Sequence, residues 1–304
     1  MSQKSVMPPI SWESAQTFLA VVEQGSFSAA ATVLGLGQPT VSRRIAQLEE
    51  VLSEQLFRRG KYGAEPTAAA DRLIPTAQQM AKWAAEFVRI AQGSESEISG
   101  VVTIAAPPGV AVEQTAPFAA RLRARYPQLR IDVLSAVAHL DLARGDADIA
   151  LRTRAPTEPG LVAVMQAQTQ PVVVAASSYA KTLKTPCAWS DLQWTTWSDG
   201  YRQVAPRPML EQAIANFSPV FTSDDYLVQK AAVRAGLGAT IVGLPAPLDA
   251  EVEQRLAEEG LAVVPMQVQL PTSEFYIVCA KSSQQIPRVR AVLAALQDAI
   301  NKKL

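Results

Sequence analysis

The sequence predicts a multidomain protein in which a helical amino-terminal segment is followed by a larger α/β domain. Three observations lead to this prediction. Apolar residues recur at helical spacing from Ser11 to Ala91, a small polar run occupies residues 92–100, and short β-branched runs alternate with helical ones after Gly100. At about 150 residues per domain, a chain of 304 residues has room for two or three domains.

The composition is that of a soluble globular protein without bulk charge. Hydrophobic residues make up 48% of the chain and charged residues 18%, and 28 Lys+Arg balance 28 Asp+Glu. This balance excludes a histone-like protein, so any contact with nucleic acid must come from a local patch. The start of the chain lacks the apolar core of a secretory signal, and no run of about 18 apolar residues occurs. We therefore expect a cytoplasmic protein without a membrane partner.

Cysteine and histidine are too scarce for several common kinds of site. Cys187 and Cys279 form no CxxC pair, which excludes a disulfide framework and a thiolate zinc site. His139 is the single histidine, so a metal site of the HExxH type cannot form. We expect no metal, no cofactor and no catalytic residues, and we expect both thiols in the core.

Three short helices are predicted at the amino terminus. The first covers residues 11–22 and ends at Gly25, and Ser26 is a suitable N-cap for the second. A short turn at residues 35–37 precedes the third helix, which begins at Gln38-Pro39 because proline is tolerated in a first turn. Its buried stripe is predicted to consist of Val41, Ile45, Leu48 and Leu52.

The third helix has a second face that is polar and carries arginine. Its members, which lie within about 100° of one another, are Thr40, Arg43, Arg44 and Gln47. Arginine can bind guanine and glutamine can bind adenine in the major groove of DNA. Residues 38–61 hold five Arg or Lys against three Glu, a local charge of +2. These features are typical of a helix-turn-helix, and a plain three-helix bundle with a solvated face is the alternative.

A longer helix is predicted from Thr67, its N-cap, to about residue 92, with a kink at Pro75. Apolar residues follow a heptad seam along it, which predicts self-association. The seam consists of Leu73, Ala77, Met80, Ala84, Phe87 and Ala91. A core helix packed within its own chain is the alternative. The small polar residues that follow, 92–100, predict a hinge.

After Gly100, alternating strands and helices predict a mainly parallel sheet covered by helices. The predicted strands are residues 101–105, 130–134, 147–151, 171–176, 220–222, 238–243 and 273–280. The predicted helices lie around 111–125, before Arg144, at 225–235 and at 286–301.

Two sets of motifs extend along nearly the whole chain. In the first part, they are Phe18, Gly25-Ser26-Phe27, Ala30-Ala31, Leu34, Gln38-Pro39, Ser42-Arg43, Ile45, Leu48-Glu49, Leu52, Leu56-Phe57, Arg59 and Thr67. In the second part, they include residues 100–104, Tyr126-Pro127, residues 145–152, Gly160-Leu161, residues 171–174, residues 236–238 and residues 287–290. With these motifs the chain resembles the LysR-type transcriptional regulators. The chain departs from the family pattern at Gly37, Ser53, Pro66 and Ala70.

The resemblance implies an α-rich winged helix-turn-helix over residues 1–66, a linker or dimerisation helix over 67–92, and a two-lobed effector-binding domain over 93–304. This last domain would have the α/β fold of periplasmic solute-binding proteins, with lobe 1 at about 100–170 and 272–304 and lobe 2 at about 171–271. The implied function is sequence-specific, effector-responsive regulation of transcription. The expected DNA-binding residues are Gln38, Thr40, Ser42, Arg43, Arg44, Gln47, Arg58, Arg59 and Lys61.

In such a fold, ligands bind in the crevice at the carboxyl ends of strands. The residues expected to bind an effector are Pro107, Pro108, Gly109, Val110, Ser135, Arg152, Thr153, Arg154, Trp197, Ser198, Asp199, Ser223 and Asp224. Arg152 and Arg154 suit a small carboxylate. The alternative is that these two arginines balance neighbouring acidic residues such as Glu158.

The partners implied are a pseudo-palindromic operator in double-stranded DNA, a small-molecule effector and further copies of this chain. The heptad seam supports a homodimer, and the resemblance suggests a homotetramer. RNA polymerase is a further candidate partner. Two alternatives stay open: a solute-binding protein, suggested by the second part alone, and an enzyme that would act through His139 or Cys187.

Overall fold

The structure is a computed structural model that describes residues 10–60, 63–91, 98–135, 142 and 146–301. It divides into two compact units, with the boundary after Glu97. The first unit is helical with one hairpin, and the second combines strands and helices. Lys61, His139, residues 92–97 of the predicted hinge and most of the helix predicted before Arg144 lie outside the described residues.

The amino-terminal unit contains the four predicted helices and the hairpin that the resemblance implied. The helices are α1 (Trp12–Gln24), α2 (Phe27–Leu34), α3 (Gln38–Leu52) and α4 (Ala68–Ala91). The strands β1 (Phe57–Gly60) and β2 (Gly63–Pro66) lie between α3 and α4 and pair antiparallel.

Local sequence signals set the helix ends as predicted. The Ser26 hydroxyl accepts the N–H of Ala29 at 3.1 Å and caps α2. Gly25 ends α1 with a φ of 65°, in the left-handed region that glycine adopts without strain. The Thr67 hydroxyl accepts the N–H of Ala70 and so caps α4. These caps bind backbone groups that the first turn of a helix leaves without partners.

The helices pack around one apolar core, and the hairpin is fixed against them. The core includes Phe18, Val21, Ala30, Val41, Ile45, Leu48, Leu56 and Ala70. A Cβ atom at Gly63 would lie 2.3 Å from the carbonyl oxygen of Gly25. The N–H of Ala64 donates to that same oxygen at 2.8 Å. The backbone of β2 therefore lies directly on the α1–α2 turn, which requires glycine at position 63.

The second unit contains nine strands among its described residues. They are β3 (Gly100–Ala106), β4 (Leu129–Ser135), β5 (Ile149–Arg152), β6 (Leu161–Ala176), β7 (Thr195–Trp197), β8 (Phe221–Ser223), β9 (Ala239–Pro245), β10 (Leu261–Val263) and β11 (Ser273–Ala280). The helices are α5 (Pro108–Val110), which continues through a π-helical turn (Ala111–Thr115) into α6 (Ala116–Arg125), then α7 (Ser177–Ala180), α8 (Arg207–Ala213), α9 (Tyr226–Arg234), α10 (Ala250–Glu258) and α11 (Pro287–Asn301).

The prediction of a mainly parallel sheet is wrong. Seven strands form one sheet in the order β10-β6-β11-β5-β3-β4, with β9 also paired to β6. β3 is parallel to β4 and β5, whereas the pairings made by β6 and β11 are antiparallel. The cause is that β6 begins at Leu161, not at residue 171, and pairs with the returning carboxy-terminal strand. Polar and apolar residues mix along residues 161–170, which hides this strand in the sequence.

β6 passes through both lobes of the unit. Its first part pairs with β11, with Thr169 opposite Ser273, and its second part pairs with β9, with Val174 opposite Thr240. β3, β4 and β5 complete lobe 1, and the parallel pair β7–β8 belongs to lobe 2. The lobe 2 core includes Val173, Cys187, Leu192, Trp194 and Leu210.

Both cysteines are buried free thiols, as predicted. Burial raises the pKa of the Cys187 thiol and that of the Cys279 thiol. No helix within the described ranges combines the length and the apolar character needed to cross a bilayer.

Candidate DNA-binding surface and effector cleft

One face of α3 is buried and another is polar and exposed. Val41, Ile45 and Leu48 lie in the core. Of the residues expected to contact DNA, Gln38, Ser42, Arg43 and Gln47 are exposed, and Thr40 is half-buried. The helix therefore presents an arginine, two amides and two hydroxyls on its outer side, which are groups that can bind base edges or phosphates.

Arg44 lies in a different environment from Arg43. Its Nη2 atom is 2.9 Å from the Glu13 carboxylate on α1, and its Nη1 donates to the Thr17 hydroxyl at 3.4 Å. The Arg44 side chain is 26% exposed. This guanidinium holds α3 against α1, so the structure separates it from the exposed residues with which the sequence grouped it.

The hairpin carries the arginines expected on the wing. Arg58 is exposed on β1, with its Nε 3.3 Å from the Glu65 carboxylate on β2. Exposed pairs of this kind contribute at most about 1 kcal/mol, so a phosphate can replace Glu65 at little cost. Arg59 lies next on β1, opposite Ala64.

Glu49 connects the end of α3 to the hairpin, a role that the sequence reasoning missed. Its Oε1 accepts the N–H of Leu56 at 2.7 Å and the N–H of Phe57 at 3.2 Å. Because one carboxylate binds two backbone groups where β1 begins, the hairpin is oriented relative to α3.

The seam on α4 has different environments along its length. Ala77 is buried and Leu73 is half-buried in the core of their own unit. This is the environment expected from the alternative, a helix packed within its own chain. Further along, Phe87 is 75% exposed and Val88 is 51% exposed. Of the other seam residues, Met80 and Ala84 are half-buried and Ala91 is exposed. The apolar surface open to a partner therefore lies in the carboxy-terminal part of α4.

The strands β3, β4 and β5 are parallel, so their carboxyl ends lie at the same edge of lobe 1. The predicted segment 107–110 follows β3 and is half-buried. Arg152 ends β5, is 6% exposed and donates to the Glu158 carboxylate at 2.8 Å. This hydrogen bond lowers the pKa of Glu158. Ser135, Thr153 and Arg154 are exposed. Arg152 thus balances Glu158, which was the alternative left open.

The strands β7 and β8 end together at an edge of lobe 2. The N–H of Ser198 donates to the carbonyl of Ser223 at 3.1 Å, which brings two predicted residues together. Trp197 is buried, and its indole N–H donates to the carbonyl of Ala205 at 2.8 Å. Asp199 and Asp224 are exposed.

Arg207 connects several residues at this edge of lobe 2, a role that was not predicted from the sequence. Its side chain is buried and donates to the carbonyl of Trp197 at 2.6 Å, to the Asp199 carboxylate at 2.5 Å and to the Glu211 carboxylate at 2.9 Å. The spacing of four residues between Arg207 and Glu211 on α8 was the available local signal.

The two edges meet through side chains that the sequence reasoning also missed. A Cβ atom at Gly109 would lie 3.2 Å from Tyr226 Cε2, so the ring of Tyr226 packs directly on this glycine. The Glu113 carboxylate accepts the Tyr226 hydroxyl at 3.4 Å and the Lys230 ammonium at 2.5 Å. Lys230 also pairs with Glu259 at 2.5 Å. The segment after β3 in lobe 1 therefore contacts α9 of lobe 2 directly.

Each of the two units matches the model of a known protein family. The LysR substrate binding domain matches residues 95–301, and the bacterial regulatory helix-turn-helix protein of the lysR family matches residues 12–71. The first match alone covers more than half of the chain. The chain belongs to the LysR family.

This LysR family member is similar to curated regulators over part of its length. An HTH-type transcriptional regulator of Xanthomonas campestris pv. campestris is 32% identical over 177 residues, which cover 58% of this chain and 52% of that protein. The chain spans about half the length of the curated relatives it matches first.

Solved LysR-type structures share the fold along nearly the whole chain. CrgA from Neisseria meningitidis aligns with a TM-score of 0.56 at 24% identity, covering 95% of this chain and 98% of that one. Full-length CbnR, solved with its target DNA, aligns with a TM-score of 0.61 at 17% identity, covering 95% and 99%. These matches confirm the predicted fold: helix-turn-helix elements followed by a two-lobed α/β domain.

Proposed function

We propose that this LysR family member is a sequence-specific DNA-binding regulator of transcription that responds to a small-molecule effector. The observation that carries the proposal is the exposed polar face of α3 beside the hairpin β1–β2. The proposed division follows the sequence: DNA binding by residues 1–66, pairing of two chains through residues 67–92, and effector binding by residues 93–304.

The side chains on α3 suit readout in the major groove. Arg43 can bind guanine O6 and N7, and Gln47 can bind adenine N6 and N7. Ser42 and Thr40 can bind bases or phosphates, and Arg58 can reach a phosphate from the hairpin. The fold likeness to CbnR supports this arrangement, because that protein was solved with its target DNA.

The proposed pairing of two chains follows from the length of DNA that one helix can read. One helix reads a few base pairs, so specificity requires two half-sites about one helical turn apart, which a two-fold dimer supplies. Among the described side chains of α4, the exposed Phe87 and Val88 are apolar groups available for that contact. The net charge of zero and the local charge of +2 per chain over residues 38–61 favour specific over non-specific binding.

The crevice between the lobes is the proposed effector site. Residues 107–110 follow β3 in lobe 1, and in lobe 2 Ser198 follows β7, Ser223 ends β8 and Asp224 follows it. Ligands bind at such strand ends in open α/β folds. An effector changes DNA binding only if it binds two conformations with different affinities.

The DNA half of the proposal is tested by selecting binding sequences from randomised duplex DNA with the full chain. We expect an enriched pseudo-palindrome. Arg43→Ala should then weaken binding about 10-fold to 100-fold, the loss of a direct base contact. Arg255→Ala, which removes an exposed arginine from α10, is the matched control and should bind normally. Absence of any enriched sequence, or full affinity in Arg43→Ala, would contradict the assignment.

The effector half is tested by thermal unfolding of the full chain with small carboxylates, aromatic acids and amino acids. A ligand that binds the folded state raises the melting temperature. Ser198→Ala and Ser223→Ala should reduce that rise, and Ser282→Ala, at an exposed site away from the crevice, should leave it intact. If a ligand raises the melting temperature of both crevice variants as much as that of the parent, its binding site lies elsewhere.

A further inference from the structure

Lys230 on α9 has one partner in each lobe. Its ammonium lies 2.5 Å from the Glu113 carboxylate, which follows β3 in lobe 1, and 2.5 Å from Glu259, which follows α10 in lobe 2. The Lys230 side chain is 18% exposed, and the two carboxylate side chains are 35% and 34% exposed. Glu259 belongs to the same lobe as Lys230, whereas Glu113 belongs to the other lobe. Of these two ion pairs, the one with Glu113 therefore connects the lobes.

Tyr226 strengthens the same contact. Its hydroxyl donates to Glu113, and its ring lies on Gly109. Burial and the neighbouring Glu113 carboxylate raise the pKa of Tyr226, so the hydroxyl keeps its proton at neutral pH. The ring therefore contacts α5, the short helix that follows β3 and carries predicted effector-binding residues.

β6 changes neighbours where it passes from one lobe to the other. Its pairing with β11 ends at Thr169, opposite Ser273, and its pairing with β9 begins at the same residue, opposite Pro245. Pro171 lies two residues further along, opposite Gly243, and has no N–H to donate to a ladder. The amide of Gln170 donates to the carbonyl of Leu270, the other chain segment near this crossing.

We propose that Glu113, Tyr226 and Lys230 form an interlobe latch that holds the two lobes together beside the proposed effector site. The latch consists of partly buried polar contacts, and water can replace part of what each one contributes. The closed arrangement is therefore favoured but readily opened by bending where β6 changes partners. The latch operates without an effector and does not depend on DNA binding.

The experiment measures the distance between spin labels, one in each lobe of the full chain. Labels at Ala124→Cys in α6 and Glu251→Cys in α10 occupy exposed positions. The native Cys187 and Cys279 are buried and do not compete for the label. Labelled chains are diluted with unlabelled chains, so that the distances measured lie within one protomer.

We expect one dominant short distance in the parent, with a minor longer one that grows in Glu113→Gln and Lys230→Met. The open fraction should rise roughly threefold to tenfold, as for the loss of a partly buried ion pair. Glu259→Gln is the matched control, because it removes a partner of Lys230 within lobe 2, and its distances should stay those of the parent. Lys230→Arg keeps the charge and should stay closed.

An unchanged distance distribution in Glu113→Gln would overturn the latch, whether or not Lys230→Met folds. Equal opening in Glu113→Gln and Glu259→Gln would also overturn it, because the effect would then come from general loss of charge near α9. The measurement needs neither operator nor effector, so its failure is distinguishable from failure of the proposed function.

Discussion

Arg44 on α3 is held by Glu13 on α1, with Nη2 and Oε2 2.9 Å apart. The Thr17 hydroxyl adds a second contact at 3.4 Å. On a helical wheel Arg44 shares the polar face of Arg43, but in the fold it neutralises a carboxylate of its own chain. Two adjacent arginines of α3 therefore differ in how free their charges are to bind a phosphate or a base.

Replacing Glu13 with Gln should strengthen non-specific DNA binding. The change frees the charge of Arg44, so one more phosphate contact becomes available and the slope of log affinity against log salt should steepen by about 1. The measurement is fluorescence anisotropy of labelled duplex DNA over a range of salt concentrations.

Glu23→Gln is the control for this prediction, because it removes an exposed carboxylate from the same helix. The combination Glu13→Gln with Arg44→Ala should return the slope to that of the parent. Equal slopes in Glu13→Gln, Glu23→Gln and the parent would mean that Arg44 does not approach DNA in either state.

Glu49→Ala should destabilise the amino-terminal unit and displace the hairpin. It leaves the N–H groups of Leu56 and Phe57 without their acceptor, and both residues are buried. Each buried group without a partner costs about 1–3 kcal/mol. Urea unfolding followed by helical circular dichroism measures the loss, and salt-dependent DNA binding reports the displaced hairpin.

Glu49→Gln retains a side-chain oxygen and should recover most of the stability. Glu50→Ala removes the neighbouring exposed carboxylate and should have little effect. If Glu49→Ala and Glu50→Ala have the same midpoint of urea unfolding, the two hydrogen bonds that Glu49 accepts do not stabilise the start of the hairpin.

Features encoded by neighbouring residues were predictable from the sequence, whereas contacts between distant residues were not. The end of α1 at Gly25, the start of α3 at Gln38 and the strand Ser273–Ala280 each follow from signals within a few residues. The Arg44–Glu13 and Lys230–Glu113 contacts join residues 31 and 117 positions apart. Helical periodicity places a side chain on a face but does not name its partner.

The same limit explains two further differences. The heptad spacing on α4 predicts a seam, but the core of the first unit covers Leu73 and Ala77. Periodicity alone does not distinguish a partner chain from the same chain. For Arg152, position at the end of β5 was predictable, but whether it binds Glu158 or a ligand depends on the fold of the loop that follows.

Ser53→Gly should stabilise the amino-terminal unit. Ser53 ends α3 with a φ of 54°, a left-handed conformation that costs a residue with a Cβ about 1–2 kcal/mol. Glycine removes that strain but gains about 0.5–1 kcal/mol of freedom in the unfolded chain, so a net gain of roughly 0.5–1 kcal/mol is expected. Urea unfolding measures it. Ala46→Gly, at an exposed interior position of α3, should instead lose about 1 kcal/mol; losses in both variants would refute the strain at Ser53.

Phe87→Asp should weaken the association of two chains through α4. Phe87 is 75% exposed in the single chain, and burying such a side chain against a partner contributes about 1.5–3 kcal/mol. An aspartate there loses this contribution and places a charge in the contact. The dimer dissociation constant, measured by sedimentation equilibrium, should rise at least about tenfold, and operator affinity should fall with it.

Gln78→Asp is the matched control for this prediction. Gln78 is exposed on the same helix, about 120° around its axis from Ala84, so it introduces the same charge away from the seam. It should leave the dissociation constant and the operator affinity unchanged. If both variants dimerise as the parent does, the contact between chains lies outside α4 and the exposed end of the seam has another role.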